Sequence, residues 1–452
     1  MVFEKKLKTI DDPILEFDSS EHKSTDPING LENWDPNKLP DLECIRVSAI
    51  CQSQYVNVLK QFWDHLRNGY NGNRYVPYLG FRESFAAPIT DILSTVNPDV
   101  KSGDIDTRFA ASVRDIGSSA DIVFVVLPYD FPQEAMTMYN EIKAASFQSK
   151  TKTQCIRRNI LGRVGSPDHA IDLWNIGVGI FTKVGGTPWV LSDRMSDVGC
   201  FVGLVTDSVK RGTQTVSDKA GICEVVDNYG SHVIWAKEEL PSLSFAKEEG
   251  RTVREIDKKE TTKMIESCLE KYCRQRLGSN YHDRMNLLSD KLVVFHLTDD
   301  FSKGVLETME KAITDFGLER YQIIHLKQDT PYRLYSNESN DMTPLRGTVF
   351  EVNDKNAVLY THGKREYHRG TVHNVYTRNK RGIKPIGVEI LKENKGVPIY
   401  ETCKHVINLT GLCWYTTDIE MKMPVTIKIA RRLGMLWKRG VLSDFADVRY
   451  VL

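Results

Sequence analysis

No apolar run in this sequence approaches the roughly 20 residues that a membrane-spanning helix needs, so an integral helical membrane protein is not expected. The opening stretch MVFEKKLKTIDDPILEF lacks the long apolar segment and small-residue cleavage site of a secretory signal, and a cytoplasmic location is the expectation. C-x-x-C pairs are absent too. The nine cysteines are odd in number and scattered, with Cys268 and Cys273 closest together, which points to reduced thiols rather than a disulfide framework or a zinc site. Eleven histidines include no H-E-x-x-H pattern. Net charge is also missing: 60 basic residues balance 60 acidic ones, which argues against a broadly cationic nucleic-acid binder but leaves room for a local site. Internal repeats and long low-complexity segments are lacking as well.

What remains is an ordinary globular composition, 41% apolar and 27% charged, in 452 residues, enough for two or three domains with substantial cores. Residues 1 to about 40 are polar and rich in Pro, Asp and Asn, and little regular structure is expected there. CIRVSAICQ (44–52) reads as a strand and QYVNVLKQFWDHL as the helix after it. ADIVFVVLP (120–128) is a continuous apolar run of the kind found in buried parallel strands. Pro132 opens a helix through QEAMTMYNEIKAAS. TQCIRRNIL is the next strand. Ser166-Pro167 caps the helix DHAIDLWNIGVGIFTK, and Gly185-Gly186 ends it. This alternation predicts an α/β sheet.

A change of pattern follows. VGCFVGLVTDSV, TQTVSDKAGICEVVDN and SHVIWAKEE read as three sequential strands. The charged stretch 247–263 leads into a helix around MIESCLEKYCRQR. KLVVFHLTD is a second buried strand, followed by the helix SKGVLETMEKAITDFG. Strands in YQIIHLKQ, GTVFEV, AVLYTHG and PIGVEIL precede helices near 398–408 and 424–437. Three strands, a helix, a buried strand and terminal helices match the order of an RNase H-like fold.

The chemistry concentrates around FTKVGGTPW (181–189), where a lysine ends a helix just before two glycines. Tyr139 and Lys143 lie four residues apart, hence on one helix face, and Gln154 leads the next strand. Taken singly, Tyr139 is an ordinary core aromatic, Lys143 a solvated helix lysine, and Lys183 a favourable charge at a helix C-terminus. Together, Tyr139, Lys143, Gln154 and Lys183 offer ammonium, phenol and amide groups from neighbouring elements of one sheet. A terminal phosphate, with roughly −1.5 to −2 charge and three acceptor oxygens, is well bound by such a set.

The ordered pieces YNEIK (139–143), TQCI (153–156) and NIGVGIFTKVGG (175–186) resemble the MID domain of the Argonaute family, and the resemblance extends over nearly the whole chain. It implies an α/β architecture, a Rossmann-like MID domain followed by an RNase H-like PIWI domain. Residues 1–115 are then an N-terminal arm and the first part of the MID lobe, 116–195 the MID core, and 196–452 the PIWI domain. It also implies a pocket for the 5′-phosphate of a short guide strand, with the first base on Tyr139. Eukaryotic members carry another lysine one turn before the last one, where Gly179 stands here. In prokaryotic members a divalent metal and the terminal carboxylate help neutralise the phosphate. Magnesium, an oxygen-seeking ion, is therefore the expected cofactor, with the carboxylate of Leu452 as its ligand.

A nuclease of the RNase H-like type needs clustered carboxylates around two metals. The matching positions hold Val205 in VGLVTDS, Thr298 in FHLTDD and Ile429 in PVTIKIARRLG. Neither Val205 nor Ile429 can ligate magnesium. Asp207 and Asp299 lie close by in sequence, and the acidic pair Glu248 and Glu249 is a guess for the mobile glutamate. The expectation is a PIWI domain without nuclease activity. With MID-like motifs beginning near residue 120, the chain resembles short prokaryotic Argonautes. That family context implies a partner chain with an APAZ region and an effector: a TIR or sirtuin-like NAD-consuming domain, or a nuclease. The implied function is recognition of complementary single-stranded DNA through a guide RNA, activating the effector against plasmids or phage, with no membrane involved. The basic segments from Arg365 to Arg381 and from Arg431 to Arg439 are candidate duplex tracks. Two rival readings are an active guide-directed nuclease using Asp207 and Asp299, and a structural subunit that binds no nucleic acid.

Overall fold

The computed structural model describes residues 7–72, 76–98, 104–130, 132–210, 217–278, 287–288, 290–335, 342–369, 372–376, 383–418, 421–441 and 449. The chain forms two compact units, one of residues 15–190, 413–418 and 435–452, the other of 1–14, 191–412 and 419–434.

The unit that begins at residue 15 is built on a four-stranded parallel sheet. Its strands are β1 (Ile45–Ile50), β2 (Ile89–Val96), β3 (Ile122–Leu127) and β4 (Thr153–Arg157), in the order β2-β1-β3-β4. Every residue of β3 is buried, as a strand covered on both faces requires. Side chains alternate across the pleat. Val123, Val125 and Leu127 join a core with Phe109 and Val113 of α2 (Ile105–Ile116) and with Met138 and Ile142 of α3 (Pro132–Ser149). Phe124, between them, meets Phe62 and Trp63 of α1 (Val56–Asn68). Helix α4 (His169–Lys183) follows β4, and Gly185, at φ +110°, ends it as expected.

Two expectations for this unit need correction. Residues 15–40 are not without regular structure: Asp26 caps the helix Pro27–Asn33 through the amides of Ile28 and Asn29. Ser166 does not cap α4. Its carbonyl, not its hydroxyl, takes the amide of His169, and the helix begins there with Asp168 at the cap. Strand β2 and helix α2 are further elements of this unit: ITDILSTV is half exposed and carries no clear two-residue alternation, whereas α2 buries Phe109, Val113 and Ile116 at helical spacing.

The second unit is organised by a nine-stranded sheet. In it are β5 (Val198–Lys210), β6 (Ser217–Asp227), β7 (His232–Glu239), β10 (Leu292–Leu297), β11 (Tyr321–Lys327), β12 (Thr348–Asn353), β13 (Asn356–Leu359) and β16 (Ile386–Asn394). With Leu7–Thr9 at one edge, the order runs Leu7–Thr9, β12, β13, β16, β11, β10, β5, β6, β7. β5, β6 and β7 are antiparallel, and β10 runs parallel to both β5 and β11. Three strands, a helix, a buried strand and terminal helices follow one another in the order that the sequence predicts for the RNase H-like half. Cys200, Val202 and Leu204 of β5 pack with α5 (Lys258–Leu277) and α6 (Lys303–Asp315) on one face. On the other face α8 (Val425–Lys438) lies so close that a side chain on Gly203 would meet the Thr426 backbone at 2.4 Å. Helix α7 (Ile399–Thr410) precedes α8.

The stretch 247–263 is more than a lead into a helix. It contains most of a hairpin of β8 (Ser244–Glu248) and β9 (Arg251–Glu255), after which Asp257 caps α5. A second hairpin joins β14 (Arg365–Arg369) and β15 (Val372–Tyr376). Its first residue is not part of a solvated basic track. Arg365 is buried and donates to Asp12 at 2.6 Å, and the neighbouring Arg346 does the same. Residues 370–371 and 377–382 of the expected track lie outside the described residues. All nine cysteines are free thiols, seven of them buried.

Candidate anion site

The four residues singled out from the sequence meet around the start of β4. Lys143, on α3, is 1% exposed and donates from Nζ to the Thr153 carbonyl at 3.3 Å. The same ammonium sits 5.6 Å from the centre of the Tyr139 ring, one turn earlier. Lys183, at the end of α4, is 3% exposed and donates to Gln154 Oε1 at 2.6 Å. Two helices on different sides of β4 thus deliver two buried ammonium groups to consecutive residues of one strand. Taking an ammonium out of water is costly unless polar partners compensate it. An anion bound here would be held by charge-assisted bonds of the strong kind.

Two further cations approach the elements that carry this cluster, one of them the last residue of the basic segment from Arg431 to Arg439. Arg439 donates to Asn140 Oδ1 at 3.1 Å, beside Tyr139. Arg449 brings Nη1 to within 3.2 Å of the point where Gly185 would carry a Cβ. Both come from the C-terminal segment, some 260–300 positions away along the chain. Leu452, expected as a metal ligand, lies outside the described residues. Gln154 Oε1 and the Thr153 carbonyl already accept from lysine, the other side-chain oxygen of the set is the Tyr139 phenol, and none of the four residues is a carboxylate. These residues alone do not form a magnesium site.

Helix α4 is fixed along its length. Asn175 Oδ1 accepts from Thr416 and Thr417, and Thr182 Oγ1 donates to the Trp414 carbonyl at 3.1 Å. Near its start, burial pushes the Asp172 carboxyl up to about 6, and Asp168 adds to the rise, although Arg163 stands 2.6 Å away and opposes it. A raised carboxyl pKa means that the folded state prefers the protonated acid. The stabilisation is full below the ordinary value of 3.8 and is lost as pH rises through about 6. Asp172→Asn is therefore expected to stabilise the protein near pH 7 by about 2–3 kcal/mol and to change little at pH 4. Denaturant unfolding at the two pH values measures this, and an equal shift at both would count against it.

In the other unit, the positions matched to nuclease ligands are filled as follows. Val205, on β5, and Ile429, on α8, are buried, at 4% and 0% exposure, with no ligating atom. Thr298 follows β10 and is half-buried. Asp299 accepts from the Thr206 amide and hydroxyl, both at 2.9 Å, and pairs with Arg254 Nη2 at 2.9 Å. Burial lowers the Arg431 guanidinium pKa, and the charge of Asp299 acts against that drop. Asp207 accepts from the Ser208 amide, and its Oδ2 lies 3.6 Å from the point where Gly434 would carry a Cβ. Glu248 and Glu249 lie at the end of the β8–β9 hairpin and bind Lys303 at the start of α6. Arg254 and Arg431 are residues that no spacing rule links to Asp299.

No family model matches the chain, and no curated protein matches it. Solved structures do. Clostridium butyricum Argonaute bound to a guide DNA and a 19-mer target DNA aligns with a TM-score of 0.70 and 16% identity, covering 98% of this chain and 54% of that one. A. aeolicus Argonaute aligns with a TM-score of 0.65 and 15% identity, covering 98% and 55%. A second structure of the Aquifex aeolicus protein gives 0.58 and 16%, covering 93% and 53%. This chain spans about half the length of those proteins. Among the described residues no helix is long and apolar enough to cross a membrane. Over the half that it spans, the chain has the MID–PIWI fold of Argonaute proteins.

Proposed function

We propose that this protein is a short Argonaute that holds a guide RNA by its 5′-phosphate, pairs it with complementary single-stranded DNA, and relays the event to an APAZ-containing effector without cutting the DNA itself. The observation that carries the reading is the pair of buried lysines, Lys143 and Lys183, delivered to Thr153 and Gln154 on one strand. Tyr139, over Lys143, is the platform on which the first base stacks. Contacts to phosphate fix position and carry no sequence information, so sequence is read by base pairing.

The absence of cleavage is supported by side-chain chemistry. Val205 and Ile429 have nothing to offer a metal, and both oxygens of Asp299 are engaged by Thr206 and Arg254. A bound magnesium is part of the proposal only through the Leu452 carboxylate. When bound, it would neutralise phosphate charge beside the two lysines. The partner's effector, TIR, sirtuin-like or nuclease, would respond to a population shift on target pairing, in a cytoplasmic defence against plasmids or phage.

The decisive experiment compares RNA with a 5′-phosphate and the same RNA with a 5′-hydroxyl, at matched ionic strength with and without a magnesium chelator. The phosphorylated form is expected to bind roughly a hundredfold tighter, and the chelator to narrow that gap. Equal affinities would sink the guide reading, and an unchanged gap would remove magnesium from it. Guide-matched DNA is expected to stay intact in the same mixture. Magnesium-dependent cutting abolished by Asp207→Ala would instead establish an active nuclease.

A further inference from the structure

We infer that Gly179 is a positioning residue of the anion site: its missing side chain leaves the space in which the Gln154 amide lies against Lys183 and aims that ammonium. The inference rests on the guide-phosphate reading and adds to it a residue with no ligand-binding group of its own.

Gly179 lies inside α4, one turn before Lys183 and on the same face. Its backbone is ordinary helix, outside the left-handed region that favours glycine. Glycine there weakens the helix relative to alanine, so the position needs another justification. Gly177, two residues earlier, has a packing one, since a Cβ would come within 2.7 Å of the Phe85 ring. At Gly179 the neighbours are the polar atoms of the site. A Cβ would stand 3.2 Å from Gln154 Oε1, 3.9 Å from Gln154 Cδ and 3.7 Å from Lys183 Nζ. The first distance is shorter than a carbon comfortably keeps from an oxygen, so the amide would have to retreat by a few tenths of an ångström. That amide holds Lys183 at 2.6 Å. Hydrogen bonds weaken steeply as distance and angle degrade, and a displaced amide no longer fixes the direction of the ammonium protons. Gly179 thus acts through Gln154 on Lys183.

The test is a double-mutant cycle on the full chain, read by binding of 5′-phosphorylated and 5′-hydroxyl RNA, with thermal melting as a check on folding. Gly179→Ala is expected to weaken binding of the phosphorylated RNA at least about fivefold, to leave the hydroxyl RNA unchanged, and not to lower the melting temperature. Gly179→Ser, with a similar Cβ, should do the same. In a Gln154→Ala background, Gly179→Ala is expected to add nothing, because its target is gone. A variant that keeps the full phosphate preference, weakens both RNAs alike, or loses as much without Gln154 overturns the positioning role and leaves the guide reading standing. Wild-type protein with no phosphate preference at all overturns the guide reading, and the positioning role with it.

Discussion

Replacing Lys143 and Lys183 together by alanine is expected to cut affinity for a 5′-phosphorylated guide RNA about a hundredfold or more, while the 5′-hydroxyl form loses little. On the guide-phosphate reading, each ammonium would supply at least one charge-assisted bond to the phosphate, worth about 1.5–3 kcal/mol, and the two would act on one dianionic group. Both lysines are buried, so bulk water and salt screen them less than surface charges. The single variants are expected to show smaller losses that do not add, because both cations bind the same ligand. Truncation alone could disturb packing, since Lys143 is buried with its ammonium beside the Tyr139 ring. Lys143→Met and Lys183→Met keep the stem volume and remove only the charge. Equal loss in the methionine and alanine pairs assigns the effect to charge. Retention of the phosphate preference by both double variants would show that the anion is held elsewhere.

The second large effect concerns folding. Asp12→Ala is expected to destabilise the protein by about 3–5 kcal/mol, measured by denaturant unfolding, because it removes the carboxylate shared by two buried guanidinium groups. Asp12 Oδ1 takes Arg346 Nε and Oδ2 takes Arg365 Nε, each at 2.6 Å, with the arginines 4% and 9% exposed. Arg346 is further bound by the Thr361 carbonyl and by Thr410 Oγ1, so it cannot swing out to water without breaking other bonds. The strap that carries Asp12 is itself sewn to the sheet: Leu7–Thr9 pairs with β12, and Ile10 donates to the Gly347 carbonyl at 2.9 Å. Gly347, at φ +82°, approaches so closely that a Cβ would stand 1.9 Å from the Ile10 carbonyl oxygen. Burial alone would raise the Asp12 carboxyl, but Arg346 and Arg365 outweigh it and hold the pKa below the ordinary 3.8. The stabilisation is therefore present above pH 3.8 and lost as pH falls below it. A wild-type and Asp12→Ala difference that stays constant from pH 6 down to pH 2.5 would refute the ion-pair account.

These two sites differ in how far the sequence disclosed them. The cluster around β4 was legible because its parts sit on elements with local signatures and follow one another in an order that resembles the Argonaute MID domain. A four-residue spacing puts Tyr139 and Lys143 on one face, a strand start carries Gln154, and a double glycine marks the end of the helix at Lys183. The Asp12 ion pair was not. Asp12 lies in a stretch that reads as irregular, and its partners are more than 300 positions away, where one of them begins a segment that reads as a candidate duplex track. Charge type alone does not tell a buried arginine from an exposed one, since the distinction depends on what folds over it.

The sequence by itself determined most of the elements and their α/β character and the thiol state of the cysteines, and the resemblance to the MID domain marked the residues that gather around β4. Those features rest on backbone periodicity, helix-ending glycines and apolar runs, which act over a few neighbours in the chain. Only the tertiary structure decided that Arg254 engages Asp299, that Arg439 engages Asn140, that Arg449 approaches Gly185, that Asp12 anchors the N-terminal strap, and that Gly179 faces the Gln154 amide. Each of these depends on which surfaces meet across hundreds of residues. That is set by burying the whole core at once, and no local pattern encodes it.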